Sequence, residues 1–250
     1  MSLRELHKKL HLWLCLCIAF FLPFARLVPI FIVLLALNWL IQGDLKNKFR
    51  AIFKNRMALL FIAFYLLHII GLIYTNNISF GLFDIQVKLY LLVFPLILAS
   101  KPLESKNRQR IFLALVAGCI GTILFLLFRA TYLYFAFGEN DFFYEPLSSY
   151  LLHPSYLAMY ITVAIAWLLI NLVKPKKNET HISPILSILC IALFTLFIVM
   201  LSSKTGVLVL LLFYVWPCSS RTIHVKILFL EDNAMLKGGQ RPTCGAPVFL

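Results

Sequence analysis

Residues 111–137, "IFLALVAGCIGTILFLLFRATYLYFAF", hold a single charged side chain, Arg129, in an otherwise apolar run. An α-helix rises about 1.5 Å per residue and the hydrocarbon core of a bilayer is about 30 Å thick, so ~20 such residues cross it. The run does not alternate polar with apolar residues, as a strand of a membrane β-barrel would. It reads as a membrane-spanning helix with an arginine toward its end. Outward from it, further apolar runs lie at roughly 12–25, 27–42, 57–74, 85–100, 154–173, 183–201 and 205–217. The expected fold is all-α: a polytopic transmembrane helical bundle of about eight membrane helices, one per run.

Composition excludes the soluble alternative. Of 250 residues, 62% are hydrophobic and 13% charged, with a mean hydropathy of +0.91. A soluble domain is about half apolar and a quarter charged. The N-terminus, "MSLRELHKKLHLWLCLCIAFFLPFA", has the charge-then-apolar order of a cleaved signal, but a second apolar run follows within a few residues, so a first membrane helix fits better. The six cysteines show no CxxC or Cys/His metal spacing. Cys15, Cys17, Cys119 and Cys190 lie inside apolar runs and read as small buried hydrophobes, while Cys218 and Cys244 stand far apart near the end.

The net charge of +13 is concentrated between the runs, which is the pattern of cytoplasmic loops rather than of a nucleic-acid-binding surface. With the N-terminus cytoplasmic and every run spanning, segments 1–11, 43–56, 101–110 and 174–181 face inward and carry fifteen Lys and Arg. The outer side then holds four cations: Arg26, Lys88, Arg129 and Lys204. The outer segment 138–152, "GENDFFYEPLSSYLL", has Glu139, Asp141 and Glu145 and no cation. If 12–25 and 27–42, which share Pro23 and Pro29 between them, were one kinked span, the basic residues of segment 1–11 would lie outside. Two spans satisfy the charge rule. Residues 1–217 therefore form the transmembrane domain, and 218–250 reads as an irregular tail, a candidate non-native continuation rich in glycine, proline and polar residues.

Three stretches depart from the apolar background. "LLHPSYLAMY", residues 151–160, starts a helix: proline suits the first turn, where its missing N–H costs nothing, and His153 or a neighbour caps it. The same position sets His153 at the outer membrane face beside Ser155 and Tyr156, where an imidazole can donate or accept a proton. "MLSSKTGVL", residues 200–208, interrupts an apolar run with Ser203, Lys204 and Thr205; small polar residues at a helix start can bind phosphate, although the spacing is not that of a Walker loop. In "YTNNISFGLFDIQVKLYLLVFP", residues 74–95, Asp84 and Lys88 are spaced for an i,i+4 ion pair, and Asn77-Ile78-Ser79 is an outward-facing sequon. Lys88, Arg129 and Lys204 on one side of the membrane could together bind a pyrophosphate. No acidic or histidine cluster suggests a metal, and no cofactor is expected.

"HPSYLAMY" opening one helix, "LSSKTGVLVLLL" opening a later one and "GLIYTNNISFGLFDIQVKLYLLVFPLIL" earlier resemble the bacterial O-antigen ligase family over about residues 8–215. The resemblance implies a multi-pass protein of the bacterial inner (plasma) membrane. It implies metal-independent, inverting glycosyl transfer at the periplasmic face, from an undecaprenyl-pyrophosphate-linked oligosaccharide donor to the lipid A–core acceptor in lipopolysaccharide biosynthesis. Lys204 matches the family's Ser-Arg/Lys-small motif, and Arg129 and Lys88 follow as further pyrophosphate-binding cations, with Ser203, Thr205, Ser155 and Tyr156 in support. His153 lines the outer cavity and is not assigned as the general base. The family's large catalytic outer loop and later helices have no counterpart here, so the chain reads as the N-terminal part of such a fold, with two alternatives open: an active ligase-type enzyme or an inactive fragment. An O-antigen or capsule polymerase would share the donor. A transporter subunit is disfavoured because every Asp and Glu lies in or beside a loop; a noncatalytic membrane protein is the remaining alternative.

Overall fold

The computed structural model describes residues 3–100, 103–173, 183–201, 204 and 206–211, and among these every regular element is helical. In chain order they are α1 (Leu3–Phe21), continued by a 3-10 turn at Leu22–Phe24, then α2 (Val28–Ile41), α3 (Leu45–Lys54) and α4 (Arg56–Gly71), the last with a 3-10 turn at Leu72–Tyr74. There follow α5 (Ile78–Val87), α6 (Tyr90–Ser100), α7 (Ser105–Phe137), α8 (Tyr144–Ser148), α9 (Pro154–Val173) and α10 (Pro184–Leu201). Residues 204 and 206–211 are also helical, whereas 212–217 and the tail 218–250 lie outside the described residues.

Local chemistry sets the boundaries. The side chain of Asn55 accepts from the backbone N–H groups of Met57 and Ala58 at 3.1 and 3.2 Å and so caps α4; that of Asn77 accepts from Phe80 at 3.1 Å and caps α5. Prolines stand first in α9 and α10, where no N–H is required. Helix α7 ends at Gly138, whose φ of 73° is the left-handed conformation that favours glycine at a helix end, and whose N–H donates to the Tyr134 carbonyl.

Among the described residues, six helical stretches are long and apolar enough to cross a membrane: Glu5–Phe24, Arg56–Tyr74, Ile78–Ser100, Ser105–Phe137, Pro154–Val173 and Pro184–Leu201. A seventh arises if α2 and α3, bent by 114°, count as one broken span. The expected spans at 57–74, 154–173 and 183–201 coincide with helices to within a residue or two. The span expected at 85–100 begins earlier, at Ile78, because Asn77 caps a helix there and α5 and α6 continue one another across Lys88 and Leu89. The run at 27–42 forms a helix of 14 residues, about 21 Å, which turns sharply into α3. Segment 43–56, expected as a loop, contains that ten-residue helix.

The core has two parts. In one, α7, α9 and α10 interlock through fully buried Cys119, Ile123, Leu126, Leu157, Ile165 and Phe194. Helix α1 joins them at a close backbone approach: a Cβ on Gly118 would lie 2.1 Å from the Phe20 carbonyl oxygen. Small residues permit such approach, and in a bilayer it is packing rather than water exclusion that drives helix association. In the other part, α1, α2, α3 and α6 enclose Leu35, Trp39, Ile52 and Ile97. Only 11% of the Arg56–Tyr74 span and 6% of the Ile78–Ser100 span are buried, so both turn apolar side chains outward. That surface is the lipid-facing wall of a helical membrane protein. Cys15, Cys119 and Cys190 are buried thiols and Cys17 is half-buried, as expected of small hydrophobes.

Candidate functional site

The 3-10 turn after α1, the C-terminal part of α7 and the segment leading into α9 meet at one end of the bundle. Pro23 is buried in that turn and passes the chain to Arg26, which projects from the connector between α1 and α2. Arg26 donates from Nη2 to the Tyr150 carbonyl at 3.2 Å, and its guanidinium lies 4.8 Å from the centre of the Tyr150 ring. Arg129, about two turns before the end of α7, lies 5.0 Å from the same ring. Phe125, one turn earlier on α7, packs against it at 6.1 Å. Two guanidinium groups, distant in sequence, thus converge on one tyrosine, held by the attraction between a cation and the face of an aromatic ring.

Asp141 approaches Arg129 Nη1 at 3.6 Å, an ion pair too long for a good hydrogen bond. Nη1 is buried and makes no hydrogen bond, and the hydroxyl of fully buried Ser148, in α8, is in the same condition. A buried donor left unpaired costs about 1–3 kcal/mol, so Arg129 Nη1 is suited to a ligand oxygen or a water. Two cations opposed by one paired carboxylate leave an excess positive charge suited to an anion.

His153 stands immediately before α9. Its carbonyl accepts from Tyr156 and Leu157, and its Nδ1 accepts from the Ser155 N–H at 3.4 Å, which caps the helix and leaves the proton of the neutral ring on Nε2. The exposed ring meets that of Tyr156 edge-on at 6.3 Å. Lys88 is tied to Asp84 at 2.6 Å, the i,i+4 pair read from the sequence. Lys204 is exposed. Among the described residues no hydrogen bond or ion pair joins Lys88 or Lys204 to the Arg26–Tyr150–Arg129 group; Ser203 and Thr205 lie outside the described residues.

Of the residues assigned from the sequence, the structure sets Arg129 against Tyr150, while His153 stands just before α9 and Ser155 and Tyr156 lie in its first turn, in contact with His153. It adds Arg26, Tyr150 and Asp141, to which the sequence reading gave no role. Arg26 did carry a signal, a lone cation in a proline-flanked break; Tyr150 carried none. A separate polar cavity of about 380 Å³ lies at the opposite end, between Lys8, Gln42, Asp44, Asn47, Lys48 and Ser100. Among the described residues no group of three or more His, Cys, Asp or Glu is placed to hold a metal.

These features define a helical membrane protein with a paired-arginine, aromatic site at one end of the bundle. Compared with family models, curated proteins and solved structures, the chain matches none.

Proposed function

We propose that the chain is an O-antigen ligase-like protein of the bacterial inner membrane that grips a polyprenyl-pyrophosphate-linked glycan at its periplasmic face. The observation that carries this reading is the convergence of Arg26 and Arg129 on Tyr150, next to the exposed apolar wall that Leu124 and Phe128 form on α7. A lipid-linked pyrophosphate has the matching form, with an apolar tail for the wall and a dianionic group for the arginines. The topology that goes with it has the N-terminus in the cytoplasm and eight spans, the last begun by Lys204.

The reaction asks little else of this end of the bundle. An acceptor hydroxyl of the lipid A–core attacks the anomeric carbon, a new C–O bond forms on the opposite face, and the bond to the pyrophosphate oxygen breaks. Negative charge then grows on the departing pyrophosphate, where fixed guanidinium donors stabilise it more than they stabilise the bound donor. Lys204, matched to the family motif, adds a third cation. The proton of the attacking hydroxyl needs a base that is not assigned among these residues.

Binding tests the grip independently of turnover. In detergent, undecaprenyl pyrophosphate is expected to bind the wild type, and Arg26→Gln and Arg129→Gln to weaken it about tenfold or more each, as expected for a lost charge-assisted bond. Lys88→Gln, which removes a cation already held by Asp84, is expected to change it far less. Equal affinity of the two arginine variants and the wild type sinks the proposal, as does equal binding of undecaprenol, which has no phosphate.

A further inference from the structure

Helix α3 has three distinct stripes. Lys48 and Ile52, one turn apart, are buried against the bundle. Leu45, Phe49 and Phe53, also at i,i+4 spacing, are 42%, 43% and 69% exposed. Beside them a third stripe, Lys46, Arg50 and Lys54, is exposed and wholly cationic. The helix leaves α2 at a bend of 114°, and the next span starts at Arg56, directly after it. With α2 set into the bilayer, α3 runs nearly across the direction of the spans. Four cations in ten residues cannot lie in hydrocarbon, so it sits at headgroup level, where an exposed apolar stripe can still reach the acyl boundary.

Its inner face is fixed to the bundle. Ile52 packs in the cluster that holds Trp39 and Ile97, and the Lys48 ammonium donates to the Trp39 carbonyl and lies 4.7 Å from the Trp39 ring centre. Trp39 in turn donates to Ser100 at 2.7 Å, tying the corner to the end of α6. The outward stripes are therefore held at one depth and one rotation. Segment 43–56 contains five cations and a single acid, Asp44, whose carboxylate accepts from the Asn47 amide at 2.8 Å.

We infer that α3 is an in-plane helix that binds anionic phospholipid: Lys46, Arg50 and Lys54 take the headgroup phosphates while Leu45, Phe49 and Phe53 lie among the upper acyl carbons. Charge complementarity selects the occupant, since a zwitterionic headgroup returns a positive charge to a surface that already has three. The inference rests on the membrane-spanning fold and is independent of the pyrophosphate site at the other end.

The test uses the full chain and native mass spectrometry with phosphatidylglycerol and phosphatidylcholine in equal amounts. Wild type is expected to retain phosphatidylglycerol over phosphatidylcholine by about tenfold or more. The variant K46Q/R50Q/K54Q, altered only at exposed positions, is expected to fall to near parity while keeping its helical circular dichroism. The variant K106Q/R108Q/R110Q, which removes the same charge from exposed positions at the start of α7, is expected to keep the preference. Three results overturn the inference: an α3 variant that binds like wild type, an α7 variant that loses as much, or inorganic phosphate alone displacing the lipid.

Discussion

Tyr150 has its ring against two cations that would otherwise repel one another across an apolar end of the bundle. A ring quadrupole attracts each guanidinium by about 0.5–2 kcal/mol depending on desolvation, while the Arg26 bond to the Tyr150 carbonyl fixes one of them by the main chain. Tyr150→Phe keeps the ring and is expected to leave thermal stability in detergent and pyrophosphate affinity nearly unchanged. Tyr150→Leu removes the quadrupole and is expected to cost about 1–2 kcal/mol in stability; equal melting of the Leu and Phe variants would show that the ring face does not hold the arginines. Asp141→Asn removes the carboxylate that, among the described residues, pairs with Arg129. It is expected to lower stability of the empty protein and raise affinity for the pyrophosphate, a pair of opposite changes that a purely structural acid would not give. Arg129 was legible in the sequence because a lone charge in an apolar run is expensive. Its assembly with Arg26 was not, because the ring that joins them is 124 residues from Arg26 and no local pattern records that contact. At His153 the local pattern sufficed: the proline that follows it marks the helix start that its ring nitrogen caps.

Helices α1 and α7 are held at a distance set by one missing side chain. A methyl at Gly118 would fall 2.1 Å from the Phe20 carbonyl, whose backbone cannot swing aside as a side chain can, whereas a methyl at Gly121 would meet the Phe24 ring at an ordinary 3.7 Å. Gly118→Ala is expected to push the helices apart and destabilise by about 1–3 kcal/mol or more, the usual range for overpacking. Gly121→Ala is expected to be neutral or slightly stabilising through its better helix propensity. Melting of both variants in one detergent checks the contrast, and similar values for the two would mean that α1 shifts freely on α7. Elements of this kind were partly readable. The runs at 57–74, 154–173 and 183–201 stood out because they are apolar on every side, and each is a helix where expected. Helix α3 reads as a loop in the sequence because its charge obscures its period: Leu45, Phe49 and Phe53 repeat every four residues, yet so do Lys46, Arg50 and Lys54, and the average of the two is merely basic. The start of α5 was missed for a different reason. Asn77 drew notice as a sequon, while its use as a cap, by accepting from Phe80, is what begins the helix.

At the scale of the molecule the two ends are chemically unlike, and that asymmetry predicts an orientation. One end gathers Lys8, the cations of α3 and those at the start of α7; the other has Arg26 and Arg129 beside the acidic segment 138–152. Cytoplasmic loops carry the excess of Lys and Arg, so the first end is expected inside and the second outside. Membrane-impermeant maleimide on bacterial spheroplasts reads this directly. A cysteine replacing Ser149, which is exposed beside Tyr150, is expected to be labelled at once, and one replacing Lys46 only after the membrane is permeabilised. The reverse pattern would put the paired arginines in the cytoplasm and remove a periplasmic glycan donor from reach, yet it would leave the lipid-binding role of α3 standing, since anionic headgroups occur in either leaflet. Labelling of both positions without permeabilisation would require an odd number of crossings to be lost between residues 46 and 149. The 114° corner lies before residue 46 and bears on a different relation: the fourteen residues of α2 reach about 21 Å into a core of about 30 Å, so crossing it requires the bilayer to thin around them, and that crossing sets the side of the N-terminus relative to Lys46.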